Sequence, residues 1–344
     1  MINLYTIEQA EEWDEIVRSF LRYDVYWLSG YVKAFHYHGD GDPLLFHYER
    51  DGTRGINVVM RSDVSDSEYF KNKIKKGAFF DFATPYGYGG WLIEGSGIDD
   101  LFESYDAWLR ENGVVSEFVR FHPMIENHIS VNVFYKIVYL GDVVHIDLLS
   151  PEYIWNNFTS KNRNVIRKAM KNNIRVYNGR YRELFKQFRT IYNKTMDKEH
   201  ADKYYYFGES FYKSILDDLP QNAEVFYAEK DNSVIAAAII LFANGRMNYH
   251  LSGSLREYNS LAPTNLLLYK AALWGHANGY KTFYLGGGLG AQDDSLFRFK
   301  RAFNKGALNG YYIGEKIVDQ DRYNELVALR GVLPERSFFP QYRL

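Results

Sequence analysis

The stretch EVFYAEKDNSVIAAAIILFANGRMNYHLS, residues 224–252, decides the fold. Its β-branched and aromatic residues predict three consecutive strands, which cover 224–230, 234–242 and 246–252. The first two strands flank Asp231-Asn232, and residues of this kind are typical of a two-residue hairpin turn. The stretch therefore predicts an antiparallel meander.

The residues after the meander complete a unit of mixed α and β structure. A helix is predicted over 263–277, and it ends at Asn278-Gly279 because glycine commonly follows the last helical turn. Another strand is predicted over 281–285, directly after that glycine. The predicted order is thus three strands, a helix and a further strand.

The first half of the chain has the same order of elements. Its predicted helices and strands are 7–20 and 28–37 (helices), 44–50 and 55–61 (a hairpin around Asp51-Gly52), 99–112 (a helix closed by Gly113) and 115–121 (a strand). Single residues also match between the halves: Phe46, Glu49, Arg50 and Asp51 precede Phe226, Glu229, Lys230 and Asp231 by 180 positions, and Trp108, Asn112 and Gly113 precede Trp274, Asn278 and Gly279 by 166. Two matching segments in the same order predict an internal duplication.

The duplication predicts an α/β (α+β) protein with two domains, 1–149 and 150–344. Each domain would be a mixed, mostly antiparallel sheet flanked by helices. The linker is predicted near Leu149-Ser150-Pro151, where the strand-like run VVHIDLL stops.

Composition excludes several classes of protein. The 344 residues are 46% hydrophobic and 24% charged, which excludes a disordered chain. There is no cysteine, so disulfides, zinc–thiolate sites and thiol nucleophiles are excluded. The longest apolar run, Val234 to Ala243, is far shorter than the ~20 residues that span a bilayer. The acidic N-terminus resembles no signal or transit peptide, and a cytoplasmic protein is expected.

Two compositional features are uneven. Residues 1–150 carry 13 Lys and Arg against 24 Asp and Glu, whereas residues 151–344 carry 28 against 19. This asymmetry favours an anionic partner for the second half. The chain also holds 30 tyrosines. Their hydroxyls favour polar crevices, although a tyrosine-rich core would give the same composition.

A basic segment opens the second half. The run SKNRNVIRKAMKNNIRV, from Ser160 to Val176, predicts an amphipathic helix without an acidic residue. Arg163, Arg167 and Lys171 lie at successive i, i+4 positions, and their mutual repulsion would be relieved by a phosphate-bearing partner. A solvated surface helix is the alternative.

A glycine-rich segment and a basic-aromatic segment follow the strand at 281–285. The run from Tyr284 to Gly290 lacks the spacing of a dinucleotide-binding loop and instead favours a strand exit beside a ligand. In SLFRFKRAF, residues 295–303, Phe299 and Phe303 are expected in the core. Spacing leaves open whether Lys300 and Arg301 are exposed or point into a cleft.

The first half contains one candidate binding loop, Pro85 to Gly90. Its glycines and proline would hold Tyr86 and Tyr88 rigidly, with Arg120, His122 and Pro123 later in the chain. A simple turn is the alternative. Nucleophile-elbow and zinc-helix motifs are absent from the sequence, and the nine histidines are scattered, so no metal site is predicted.

Three stretches of the second half resemble the FemABX-like acyltransferases, which form peptidoglycan bridges and are relatives of the GNAT N-acetyltransferases. They are Ser160-Lys161-x-Arg163 with Arg167-Lys168-Ala169, Tyr249 through Ser252-Gly253-Ser254 to Ala262-Pro263-Thr264-Asn265, and Gly286-Gly287 followed by Phe299-Lys300-Arg301-Ala302-Phe303. The Pro85–Gly90 loop and Arg120-Phe121-His122-Pro123 resemble the family more weakly.

The resemblance implies two tandem GNAT-like domains and transfer of an aminoacyl or acyl group to an amine of a cell-wall or surface-polysaccharide precursor, carried on a nucleotide or a lipid. It implies no permanent cofactor, a phosphate-bearing co-substrate (aminoacyl-tRNA or acyl-CoA), and possible proximity to the membrane. Lys300 matches the family's lysine thought to stabilise the tetrahedral oxyanion. The residues expected to bind donor or substrate are Tyr86, Tyr88, His122, Lys161, Arg163, Arg167, Tyr249, Ser252, Gly286, Gly287 and Phe299.

Two departures from the family pattern bear on the donor. The stretch REYNSLAP, residues 256–263, lacks the glycines with which GNAT enzymes bind the pyrophosphate of CoA, which favours aminoacyl-tRNA. The long helical arm of some tRNA-using members is also missing. Two alternatives stay open: an acetyl-CoA-dependent N-acetyltransferase of an amino sugar, and a non-catalytic double domain that binds nucleotide-sugar or RNA.

Overall fold

The computed structural model describes residues 2–331 and 338–343. Two compact units are present: unit 1 comprises the chain up to Leu140 and from Tyr311 onward, and unit 2 is Gly141–Gly310. These units differ from the predicted halves 1–149 and 150–344, because the last strand and helix return to unit 1. The boundary at Leu140 also lies inside a strand, ten residues before the predicted linker.

After a first strand, the elements of unit 1 follow the order helices, strands, helix, strand. They are β1 (Ile2–Thr6), α1 (Ala10–Ser19), α2 (Ser29–His38), β2 (Asp42–Arg50), β3 (Thr53–Asp63), β4 (Phe80–Ala83), β5 (Leu92–Glu94), α3 (Ile98–Glu111) and β6 (Val114–Arg120). The chain then enters β7 (Lys136–Asp147), which crosses the boundary into unit 2.

Unit 2 repeats this order after two additional helices. Its elements are α4 (Pro151–Asn157), α5 (Ser160–Lys171), β8 (Arg175–Gly179), α6 (Arg182–Lys198), α7 (Glu209–Asp217), β9 (Ala223–Lys230), β10 (Ser233–Ala243), β11 (Arg246–Ser254), α8 (Pro263–Ala277), β12 (Thr282–Gly286) and α9 (Ser295–Arg301). The chain ends in β13 (Asn309–Ile317) and α10 (Gln320–Arg330), most of which belongs to unit 1.

Both predicted hairpins are confirmed. Asp51 and Gly52 have φ of 48° and 75°, and Asp231 and Asn232 have φ of 50° and 62°. Two consecutive left-handed residues match the twist of the flanking strands, which is why Asp, Asn and Gly occupy these positions. The turns fix the registers Arg50↔Thr53 and Lys230↔Ser233.

Each unit also contains one pair of parallel strands joined by a segment that includes a helix. In unit 1 the strand order is β1-β2-β3-β4-β6-β13, with β4 and β6 parallel and α3 between them in sequence. In unit 2 the order is β7-β12-β11-β10-β9-β8, with β11 and β12 parallel and α8 between them. Among the described residues, the other strand pairs within each unit are antiparallel. The predicted fold class is therefore confirmed.

Helices cover the sheets and close apolar cores. In unit 2, Ile166 of α5 and Leu268 of α8 are fully buried with Ile240 of β10 in one cluster. In unit 1, Leu101 and Tyr105 of α3 pack with Phe46 of β2. Within the described residues, no helix is both long enough and apolar enough to cross a membrane.

Candidate active site

Lys300 lies on the last turn of α9, and its side chain is buried. Its Nζ donates a hydrogen bond to the carbonyl oxygen of Gly287 at 2.6 Å, and the residue is only 9% exposed. The alternative of an exposed lysine is therefore wrong. Arg301 instead donates hydrogen bonds to backbone carbonyl oxygens that follow α9, including that of Gly306 at 3.0 Å.

The glycines after β12 shape the surroundings of this ammonium group. Gly286 has φ of +85°, and a Cβ there would lie 3.2 Å from Lys300 Nζ. A Cβ on Gly288 would lie 2.1 Å from the carbonyl oxygen of Gln292. This distance is a steric clash, so a residue with a side chain does not fit at this position. Gly286 therefore allows the backbone to approach the lysine closely, and Gly288 allows the close contact with the backbone of Gln292.

Asp294, which was not predicted from the sequence, positions this segment. Its carboxylate caps α9 by accepting a hydrogen bond from the N–H of Phe297 at 2.8 Å, and it also accepts one from the N–H of Leu289 at 2.9 Å. One side chain thus joins the start of α9 to the glycine turn. The capping signal, Asp294 followed by Ser295 and an apolar run, could have identified it.

Burial lowers the pKa of Lys300 to about 8, and the charge of Asp294 opposes that shift. At pH 7 most of the side chain is therefore an ammonium group, only partly satisfied by Gly287. A lysine ammonium has three donor hydrogens and is a strong donor when water is excluded. This arrangement can stabilise negative charge that develops on a nearby oxygen.

The other strand of the parallel pair carries Tyr249 and Ser252. Strands β11 and β12 pair only over Arg246–Asn248 and Thr282–Tyr284, so both continue past their last shared hydrogen bonds. Tyr249 and Ser252 lie on the part of β11 that pairs with β10 but not with β12, and Gly286 ends β12. The strands that bear these three predicted residues border the same opening in the sheet.

The Tyr249 hydroxyl donates to Ser252 Oγ at 2.6 Å. Burial raises the pKa of Tyr249 to about 12, so the phenol stays protonated at neutral pH. Burial also lowers the pKa of the adjacent His250 to about 3, so that imidazole is neutral. Compared with Tyr249 and His250, which are neutral, Lys300 is therefore the residue that carries a charge at pH 7.

Helix α8 begins where β11 ends, after a 3-10 turn over Arg256–Leu261. Ala262 has φ of 56° and ψ of 47°, a left-handed conformation that glycine usually provides. The missing glycine of REYNSLAP therefore does not prevent this turn. The first N–H groups of α8, those of Thr264 and Asn265, have no acceptor within the helix, and such a terminus favours anions.

The basic helix is shorter than predicted. Helix α5 ends at Lys171, since Asn172 Nδ2 bonds back to the carbonyl oxygen of Lys168 at 2.8 Å and Asn173 takes a φ of 57°. The prediction of a helix to Val176 is wrong. Arg175 lies on β8, opposite Glu229 of β9.

The cations of α5 have unequal environments. Arg163 donates to the carbonyl oxygen of Phe158 and so holds the end of α4, and Lys168 Nζ donates to the carbonyl oxygen of Ser260 at 2.9 Å. Arg167 packs over the ring of Trp155, with Cζ 5.1 Å from the ring centre. Lys161 and Lys171 are exposed. Part of the basic helix therefore serves the fold.

Tyr88 and His122 of unit 1 lie in one aromatic cluster. Their rings are 5.4 Å apart, and the Tyr88 ring also contacts Tyr26 at 5.2 Å and Tyr311 at 5.7 Å. Tyr86 packs instead on Phe35, with ring centres 5.6 Å apart. Tyr26 and Tyr311 were not predicted, because they are distant from Tyr88 in sequence.

His122 is fully buried against a carboxylate. Its Nδ1 accepts from the N–H of Met124 at 3.2 Å, and its Nε2 lies 3.1 Å from Asp24 Oδ2. Because Nδ1 accepts, the proton resides on Nε2 and is donated to Asp24. Neither side chain is accessible to solvent.

Two further predictions concern Phe299 and metals. The Phe299 ring contacts Phe303 with centres 5.5 Å apart and packs against the core of unit 2, which gives it a structural role. Among the described residues, no group of three or more His, Asp or Glu side chains is placed to hold a metal ion.

Known proteins share this architecture. Residues 160–301 match the model of the acetyltransferase (GNAT) domain family. The solved structure of FemX superposes with a TM-score of 0.70 at 14% identity, covering 94% of this chain and 99% of that chain. No significant match was found among curated proteins.

Two further solved structures are similar. The C-terminal domain (DUF2156) of a putative lysylphosphatidylglycerol synthetase from Agrobacterium fabrum has a TM-score of 0.58 at 13% identity, covering 90% of this chain and 93% of that chain. L-PGS from Bacillus licheniformis has a TM-score of 0.55 at 15% identity, covering 94% and 96%. At these identities the likeness shows the fold.

Proposed function

We propose that this acyltransferase of the tandem GNAT fold transfers an aminoacyl or acyl group to an amine of a cell-wall or surface-polysaccharide precursor in the cytoplasm. The observation that carries the proposal is Lys300: a buried ammonium group beside the glycine backbone at the open end of β12. The family resemblance and the likeness to FemX support this choice of reaction.

The chemistry assigned to Lys300 is electrostatic. The acceptor amine attacks the carbonyl carbon of the donor ester or thioester, a C–N bond forms, and the carbonyl oxygen becomes an oxyanion. The Lys300 ammonium stabilises that charge, and its buried position removes competing water. The intermediate then collapses, the C–O or C–S bond breaks, and the amine proton passes to the leaving group by way of solvent.

The donor is proposed to be aminoacyl-tRNA, with acyl-CoA as the second candidate. Both carry phosphates, which the first turn of α8 and the exposed Lys161 and Lys171 of α5 could receive. The left-handed Ala262 favours the second candidate, because it supplies the turn without glycine. Acetyl transfer to an amino sugar would follow from that donor.

The acceptor is assigned to the Tyr86–Tyr88 loop of unit 1. Tyr88 is half-buried beside His122 and Tyr311. A tyrosine offers a sugar ring an apolar face for packing and a hydroxyl for hydrogen bonding. Asn127 holds the loop by donating from Nδ2 to the carbonyl oxygen of Gly89 at 2.8 Å. The loop is thus rigid enough to select a ligand.

The first test compares two lysine variants with the wild-type protein. Acyl transfer to amine acceptors is measured for the wild type, Lys300→Met and the matched control Lys305→Met, which removes an exposed lysine in the same segment. Loss of transfer in Lys300→Met alone supports the assignment. Equal turnover in both variants would remove Lys300 from catalysis, and an absence of transfer by the wild type with every donor would favour a non-catalytic binding protein.

Thermal stabilisation then identifies the donor. A ligand that binds only the folded protein raises its melting temperature, so charged tRNA, CoA and nucleotide-sugar are compared at matched concentration. A rise with CoA alone would replace aminoacyl-tRNA by acyl-CoA. Salt titration adds a check, because binding through Lys161 and Lys171 should weaken steeply as salt rises.

A further inference from the structure

A cavity lies between α6 and α7 of unit 2, and its lining shares no residue with the Lys300 site. Its volume is about 220 Å³. The apolar part of its lining is Phe185, Tyr212 and Leu216, and the charged part is Arg182, Lys186, Arg189, Lys213 and Glu209. Four cations and one carboxylate therefore surround an apolar floor.

Two of the four cations are held by neighbouring acids. Lys186 lies 3.6 Å from Glu183, and Lys213 lies 2.9 Å from Asp217. Within residues 2–331 and 338–343, neither Arg182 nor Arg189 makes an ion pair. Both stand on the face of α6 that lines the cavity, and the spacing of Arg182, Lys186 and Arg189 brings their charges together. The cavity thus offers two guanidinium groups to an anion.

Tyr212 supplies a second, independent observation. The residue is 4% exposed, and its hydroxyl is buried with no hydrogen-bond partner among the described residues. A buried hydroxyl without a partner destabilises the folded state, and a polar atom of a ligand in the cavity would relieve that cost. The site therefore favours a ligand that has both an apolar face and a hydrogen-bonding edge.

The size of the cavity limits the ligand. Sites for drug-sized molecules span ~300–1,000 Å³, so about 220 Å³ admits one ring system and leaves charged substituents at the rim. Aromatic floor residues stack on a planar ring, and arginine binds phosphate through two parallel hydrogen bonds.

We propose that this cavity binds one nucleotide unit, with the base against Phe185 and Tyr212 and the phosphate on Arg182 and Arg189. An acyl chain would leave the Tyr212 hydroxyl without a partner. A bare inorganic anion would leave the apolar floor uncovered. The proposal is independent of the chemistry assigned to Lys300.

Titration calorimetry on the whole protein tests the proposal with uridine and adenosine monophosphates, the corresponding nucleosides and inorganic phosphate. At least one monophosphate should bind, and more tightly than its nucleoside or phosphate alone. Arg189→Gln should weaken that binding about tenfold or more, because a charge-assisted hydrogen bond is lost. The matched control Lys194→Gln removes an exposed cation of α6 outside the cavity and should change affinity less than about twofold.

Tyr212→Phe separates a ligand role from a structural one. It should weaken nucleotide binding about threefold without lowering the melting temperature, because the hydroxyl has no partner to lose. Nucleotide binding that is unchanged in both Arg189→Gln and Tyr212→Phe would overturn the proposal. So would phosphate binding as tightly as the monophosphate.

Two more probes identify the source of the nucleotide. A nucleoside diphosphate sugar that binds better than a six-nucleotide single-stranded RNA indicates a small nucleotide-linked ligand. The reverse order indicates an RNA end, and either order supports the proposal. Binding to anionic lipid vesicles without binding to any nucleotide would overturn it in favour of a membrane surface.

Discussion

The two units end their parallel strand pairs differently. In unit 1, β6 leads into His122, whose imidazole is sealed between Asp24 and the aromatic rings of Tyr26 and Tyr88. In unit 2, β12 ends at Gly286, and the space beside it receives the ammonium group of Lys300. One order of elements therefore supports a histidine enclosed by rings and a carboxylate in one unit, and a lysine beside glycine in the other.

A buried charged residue of unit 1 and one of unit 2 also differ in how fully they are hydrogen-bonded. Glu117 of β6 is fully buried in unit 1 and accepts hydrogen bonds from Asn57 Nδ2 at 2.9 Å and the Tyr135 hydroxyl at 2.8 Å. Among the residues that the structure describes, Lys300 makes one hydrogen bond, to the backbone carbonyl of Gly287. A satisfied buried carboxylate stabilises the core, whereas a buried ammonium with spare donors suits chemistry. We therefore assign a stabilising role to the first and catalysis to the second.

The largest expected effect is on turnover. Lys300→Met should lower kcat by ~10²–10³-fold, the loss typical of one oxyanion donor, and should leave the free energy of unfolding unchanged or higher. Steady-state kinetics and urea unfolding of the same preparation measure both quantities. A variant that unfolds more easily but keeps its kcat would give Lys300 the structural role that we assign to Glu117.

The converse effect is expected in unit 1. Glu117→Ala should lower the free energy of unfolding by about 3 kcal/mol, because Asn57 and Tyr135 lose their shared acceptor inside the core. Urea unfolding provides the measurement, with exposed Glu49→Ala as the control that should change stability by less than ~0.5 kcal/mol. Similar losses in both variants would contradict the proposed contribution of the buried network.

The pH dependence of turnover tests the charge on Lys300. Since burial lowers its pKa to about 8, the ammonium form is present below that pH and is lost above it. With the acceptor amine saturating, kcat should fall about fivefold between pH 8 and a point roughly one unit above it, because the protonated fraction falls from about one half to about one eleventh. An arginine stays protonated, so Lys300→Arg should remove this decline in whatever activity it retains. A wild-type profile that stays level over this range contradicts a role for the ammonium form.

The smallest effect concerns backbone conformation. Ala262→Gly should raise the free energy of unfolding by about 0.5–1 kcal/mol, because glycine relieves the left-handed strain before α8. Ala107→Gly, in the exposed middle of α3, should lower it by about the same amount. Thermal melts of the two variants should shift in opposite directions. A fall in both would mean that Ala262 is not strained.

Local signals in the sequence were sufficient to predict most of the helices, strands and turns. Asp51-Gly52 and Asp231-Asn232 determine their turns through backbone conformation alone, and the helix at 263–277 ends at Ala277 as its glycine signal indicates. The same reasoning failed at Asn172-Asn173, where two asparagines stop α5 without glycine or proline. Asparagine tolerates a left-handed conformation, so the signal was present but weak.

Long-range contacts could not be predicted in this way. His122 meets Asp24 across 98 residues, and no local pattern joins them. The burial of Lys300 likewise depends on how α9 packs on the end of β12, and spacing alone left its exposure open. Family resemblance singled out Lys300, but Asp294 and Tyr212 emerged from geometry.

The return of β13 and α10 to unit 1 constrains synthesis on the ribosome. Strand β6 meets its partner β13 through pairs such as Arg120↔Ile313, and Asp81 of β4 binds Arg343 and Tyr342. At ~5–20 residues per second, the intervening 170 residues of unit 2 take on the order of ten seconds or more to emerge. During that interval unit 2 can fold in one piece, while the nascent first unit keeps an unpaired strand edge and a buried carboxylate, Asp81, without its arginine partner. Chaperones that shield strand edges would therefore act on the part of the chain that was made first.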